Sequence, residues 1–123
     1  MAKCDEGYLC DVCGDDVSQV TDSQLYLLFV IGDIDPELLH TSQERHLRCN
    51  PILAQFIVDA EFPSIFVEGD FDKRQLDPAF VEQREQLVSR GWRRLREISG
   101  QELAIIDYPL PEVIEKLKRE AQQ

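Results

Sequence analysis

The sequence predicts an α+β fold. Three observations lead there: a Cys-x-x-Cys pair and a His-x-x-Cys pair in the first half, apolar runs of strand length closed by glycine, and helices that open on proline. At 123 residues with 43 % apolar content, the chain is expected to form a single domain with a true core. Residues 8–58 would gather the two pairs, and residues 59–123 would add an α+β extension of helix, β-hairpin and helix.

Taken in order, Cys10-Asp11-Val12-Cys13-Gly14 is expected to turn tightly and reverse into residues 17–20. Thr21 and Gln24 stand at capping-box spacing. The run 25–31 that follows is nonetheless uniformly apolar and β-rich, closed by Gly32-Asp33, and reads as a buried strand. Asp35-Pro36-Glu37 predicts a short helical turn through Leu39. A helix is expected over about residues 43–58. Pro51 would strain its interior, so a start near Asn50, with His46 and Cys49 on the turn entering it, is the variant reading.

Residues 64–68 read as a strand. Asp77-Pro78 opens a helix to Arg90 with Gly91 as its stop. Segments 92–98 and 102–108 flank Ser99-Gly100-Gln101 and suggest a β-hairpin. The rival is a helix continuing through Val88, Trp92 and Leu95, which share one helical face. Pro111 starts the last helix, with Val113, Ile114 and Leu117 on its apolar side. Glu112–Lys116 and Glu115–Arg119 stand there at i,i+4 spacing.

Net charge is −11, and it is uneven: residues 1–76 carry 15 acidic and 5 basic side chains, residues 77–123 carry 9 and 8. A surface this acidic repels phosphate backbones, so nucleic-acid binding is disfavoured. The longest apolar run, residues 25–31, is too short to cross a bilayer, so no membrane partner is expected. No basic start leads into a hydrophobic stretch, and a cytoplasmic location is the expectation. In a reducing compartment four cysteines point to metal or catalysis before disulfides.

The chemistry concentrates in the two pairs. Cys10 and Cys13 can grip one Zn²⁺ if the backbone between them folds tightly, with Gly14 tolerating the positive φ that such a turn needs. His46 and Cys49, three apart on a helical turn, point to one side and act as a second two-toothed ligand. Together they make a Cys₃His tetrahedron without an open position, which is structural chemistry. A redox role for Cys10 and Cys13 is the competing reading. Gly14-Asp15-Asp16 is poor helix sequence and hostile to a thiolate, which favours zinc. Cys4 and His40, each six residues before a ligand, are possible substitutes.

A knuckle, a β-rich segment and a ligand pair at the opening of a helix resemble a treble-clef zinc finger over residues 8–58. That is a likeness of fold, and it implies a zinc-stabilised module without naming a family. No His-Glu-x-x-His, phosphate-cradling glycine loop or Gly-x-Ser-x-Gly turn is present, and the spacing of zinc deaminases is reversed.

The expected function is that of a protein-binding or adaptor module with an unidentified protein partner, preferred over an enzyme because no catalytic constellation accompanies the ligand set. One alternative is a zinc-dependent enzyme using His40 near the metal. Another is RNA contact through Arg90, Arg93, Arg94 and Arg96 with Trp92, against which stands an ordinary charged face paired with the chain's own acids.

Overall fold

The computed structural model describes residues 9–39 and 41–121. Among them there are four α-helices: α1 Gln24–Val30, α2 Pro51–Ala54, α3 Pro78–Ile98 and α4 Pro111–Ala121. Short 3₁₀ turns and extended chain join them. No strand or sheet occurs among the described residues, only two isolated antiparallel bridges, Leu9–Asp16 and Ser23–His46. The expected α+β class is therefore corrected to a helical one, and the reasons are local.

Residues 25–31 were expected as a strand and form α1 instead. Ser23 Oγ accepts from the Tyr26 N–H at 3.1 Å and caps the first turn. At the other end Gly32 N–H reaches Phe29 O at 3.2 Å, and Asp33 N–H reaches Leu28 O at 2.8 Å. That pair of bonds closes a Schellman motif around Gly32, whose φ of +88° only glycine adopts without strain. The helix lacks an amphipathic pattern because it is surrounded: Leu25, Tyr26, Leu27, Phe29 and Val30 are all buried. Each such side chain contributes about 1.5–3 kcal/mol by leaving water.

The helix expected to stop at Gly91 runs through it to Ile98, so the hairpin over 92–98 and 102–108 is absent. Asp77 caps it by accepting from Phe80 N–H at 3.1 Å, with Pro78 in its first turn. Val88, Trp92, Leu95 and Ile98 form its buried stripe, which is the rival periodicity noted above. Gly91 has a packing role: α1 crosses α3 there. A Cβ at that position would stand 3.0 Å from Leu27 Cδ1 and closer still to Ile31 Cγ2. The true stop comes at Gly100, with φ +86°. What was expected as the second hairpin strand contains a 3₁₀ turn, Ile105–Asp107.

The long helix expected over 43–58 contracts to a 3₁₀ turn, Leu47–Cys49, and the four-residue α2. Pro51 opens α2, and Asn50 Oδ1 caps it at Leu53 N–H, 3.4 Å. Residues 43–46 cannot join a helix because Glu44 O and Arg45 O accept from Asp11 N–H and Gln24 N–H. Residues 64–68, expected as a strand, form none: they have no ladder partner, and no turn or helix takes its place. The turn at Pro36–Leu38 and the final helix from Pro111 stand as expected, although Glu112 pairs with Arg90 on α3.

The core runs between α1, α3 and the start of α4. Leu110 N–H donates to Val30 O at 3.1 Å, and Trp92 Nε1–H donates to Thr21 O at 3.0 Å. The first bond fixes the C-terminal end of α1, and the second fixes the segment that leads into the helix beside the candidate ligand pairs. No described helix is long and apolar enough to cross a membrane.

Candidate metal centre

Cys10 to Gly14 folds as a knuckle. Gly14 N–H donates to Cys10 O at 2.9 Å and Cys10 N–H to Asp15 O at 2.8 Å, while Gly14 takes φ +80°. The bridge between Leu9 and Asp16 closes its base. His46 sits at the entrance of the 3₁₀ turn that carries Cys49, whose N–H donates to His46 O at 3.0 Å. The knuckle and the turn are stitched together by the Asp11 N–H bond to Glu44 O, 3.0 Å, and by a bidentate pair. In that pair Arg45 Nε and Nη2 donate to the two Asp11 carboxylate oxygens at 2.7 and 2.9 Å.

The ligand atoms of Cys10, Cys13, His46 and Cys49 all lie within 4.8 Å of one another, and this group could hold a metal ion. Cys13 Sγ is 3.4 Å and Cys49 Sγ 3.9 Å from His46 Nδ1. With Zn–S about 2.3 Å and Zn–N about 2.0 Å, a ZnS₃N tetrahedron has S–N edges of about 3.5 Å and S–S edges of about 3.8 Å. The donor set fits that size. On the far side of the ring, His46 Nε2 stands 2.9 Å from Asp16 O. A carbonyl only accepts, so Nε2 carries the proton and Nδ1 turns its lone pair to the three sulfurs. A hydrogen bond of this kind is what orients a metal-binding imidazole.

Cys10 and His46 are buried, Cys49 half-buried and Cys13 exposed. Burial works against ionisation of the Cys10 thiol. The backbone N–H groups of Cys13, His46 and Val12 outweigh it and lower the thiol to about 6 from the usual 9.0. Cys49 goes the other way: burial, then hydrogen bonding and repulsion from Cys10 and Cys13, push it up to about 11. Three sulfurs so close resist carrying three negative charges, and a divalent cation relieves that conflict. Arg45, held chiefly by Asp11 and also drawn by Cys10 and Cys49, places a fixed positive charge beside them.

Glu44 was not singled out by sequence, and it ties the site to the core. Its buried carboxylate accepts from Ser23 Oγ at 2.8 Å, Leu25 N–H at 3.3 Å and Arg45 N–H at 2.9 Å. The charge thus faces the N-terminus of α1, where the helix dipole favours it. Nothing in the sequence distinguishes Glu44 from the other acids. Asp11 and Arg45 left a faint trace, as opposite charges each next to a ligand.

Of the remaining expected residues, Cys4 and His40 lie outside the described residues. Arg90 forms a bidentate pair with Glu112 at 2.6 and 2.9 Å. Arg93 holds Asp59 at 2.7 Å, and Arg96 lies 3.9 Å from the same carboxylate and over the Trp92 ring. Arg94 donates to Tyr108 O, Asp107 O and Glu97. Trp92 is buried. Of the treble-clef likeness, the knuckle and the ligand turn are present, while the β-rich segment between them is α1. Comparison with protein-family models, curated proteins and solved structures gave no match.

Proposed function

We propose that Cys10, Cys13, His46 and Cys49 hold one Zn²⁺ in a closed structural site, and that the chain is a zinc-stabilised module that binds another protein in the cytoplasm. One observation carries the metal assignment: the His46 ring is fixed by Asp16 O with its free nitrogen aimed at three sulfurs. Three thiolates with one imidazole are a zinc donor set, and in a reducing compartment they stay reduced. Zinc would supply folding energy here by cross-linking the knuckle to the turn before α2.

Four protein donors complete a tetrahedron, which argues against a metal-bound water and against the enzyme alternative with His40. The arginines of α3 support a self-paired face more than an RNA site, because each one already meets a carboxylate of this chain. Elemental analysis of the purified protein with X-ray absorption at the metal edge tests the reading. One zinc per chain with three sulfur and one nitrogen neighbours is expected. Absence of metal, or an oxygen neighbour from water, would overturn it.

A further inference from the structure

Residues 63–68, Pro-Ser-Ile-Phe-Val-Glu, run along the surface between Phe62 and Gly69 without a turn, bend or helix. Their composition is strand-like, with Ile65, Phe66 and Val67 in a row. Ile65 and Val67 are half-buried, while Ser64, Phe66 and Glu68 are exposed, the alternation of a strand lying on a surface. Yet from Ser64 to Glu68 no backbone N–H donates to, and no backbone C=O accepts from, another protein group. Such a row normally lies in a sheet or is blunted by proline or inward charge, and here the only proline precedes it. Phe66, 73 % exposed and with the Arg74 guanidinium 5.8 Å from its ring centre on one side, adds an apolar surface at its centre. Beside it lies a depression of about 480 Å³ with Ile57, Phe62, Ile65 and Phe66 on its apolar side and Lys73 and Arg93 on its polar side, wide enough for one apolar side chain of an added strand.

The charge around the segment selects the occupant. The neighbouring cations are already paired, Lys73 with Glu85, Arg74 with Asp72 and Arg93 with Asp59, whereas Glu61, Glu68 and Asp70 flank the segment without an ion pair, Glu68 being only drawn towards Arg74. A second copy of this chain would bring the same acids against themselves. A strand bearing lysine or arginine would neutralise them.

We infer that residues 63–68 are the docking edge of the module, and that they take a basic, extended peptide as an added β-strand. This deepens the protein-binding reading given above and rests on it. Backbone hydrogen bonds would supply affinity, and the acidic flanks with the Phe66 surface would supply selectivity.

The test uses the full zinc-loaded chain and a displayed library of random peptides about eight residues long. Enriched peptides are expected to alternate lysine or arginine with β-branched residues. On binding the best of them, the amides of residues 64–68 should exchange with deuterium more slowly. Successive amides of a strand face opposite edges, so either Phe66→Pro or Val67→Pro must weaken binding, by about tenfold. Neither residue sits in the core, and metal content and melting temperature report whether each variant is folded. If a proline variant misfolds, the exchange measurement on the unaltered chain decides alone.

The proposal falls under any of four results: no enrichment, enrichment of acidic peptides, binding that leaves these amides exchanging as before, or self-association through this segment. Metal content is read independently. A zinc-free protein that still binds the peptide would sink the metal assignment and leave the docking edge standing. A zinc-loaded protein that binds no peptide would do the reverse.

Discussion

Replacing Gly91 with alanine sets two effects of known size against each other. Alanine is the better helix former by about 1 kcal/mol, and α3 is helical on both sides of position 91. The new methyl group would arrive 3.0 Å from Leu27 Cδ1 and closer to Ile31 Cγ2, inside van der Waals contact. These side chains have nowhere to go: Leu27 is 0 % and Ile31 5 % exposed. Overpacking costs about 1–3 kcal/mol, and contacts this short against two buried side chains belong in the upper part of that range, about 2–3, so Gly91→Ala should lose about 1–2 kcal/mol net. For a domain of this length that is a fall in melting temperature of about 5 °C. Urea unfolding measures it, and a cycle with Ile31→Ala isolates the cause. With Cγ2 gone, the cost of Gly91→Ala should shrink towards zero or change sign. If Gly91→Ala alone stabilised the protein by the full propensity gain, α1 would not cross α3 at this glycine and the packing described here would be wrong.

Cys13→Ser should leave less than one zinc per chain and remove stabilisation on the order of 10 kcal/mol supplied by a structural zinc site; unchanged metal content and melting would refute the ligand assignment. Zinc affinity at neutral pH should climb as pH rises. The sign follows from Cys49, whose thiol, pushed up to about 11, must surrender its proton, while Cys10, near 6, is already ionised. Chelator competition giving a flat affinity between about pH 6 and 8 would contradict the account of crowded sulfurs. Glu44→Leu should strand the Ser23 hydroxyl and two backbone N–H groups and cost about 3 kcal/mol by denaturant titration, with zinc stoichiometry retained. Trp92→Phe should cost about 2 kcal/mol, because Thr21 O loses its donor; a change below a few tenths would show that water replaces it.

The four residues of the candidate metal centre could be picked out from the sequence because thiols and imidazoles are rare and their pairing is local. Gly14, and the start of α2 near Asn50, followed from the same local rules. Helix α1 was misread for a physical reason. A helix buried on every side has no polar face, so its periodicity vanishes and a short apolar run looks like a strand. The correcting signals were present as caps, Ser23 before it and Gly32-Asp33 after it, but glycine and aspartate end strands as well. Gly91 misled in the opposite way: a glycine that lets two helices touch is indistinguishable, in one sequence, from a glycine that ends a helix. Glu44 left no trace because its partners, Ser23 and Leu25, are chosen by tertiary contact.

The position of the ligands along the chain has a consequence for how the protein is made. All four candidate donors lie between residues 10 and 49, whereas α3, the helix that covers Leu27, Val30 and Ile31, begins at Pro78. Synthesis runs from the N-terminus, so the complete donor set leaves the ribosome while the apolar flank of α1 still lacks its cover. Zinc taken up at that moment would tie the arms on either side of α1 together and hold the helix in place during the interval when it is most prone to stick elsewhere. A delay in zinc supply would then show first as aggregation of nascent chains, before any loss of stability in the finished protein.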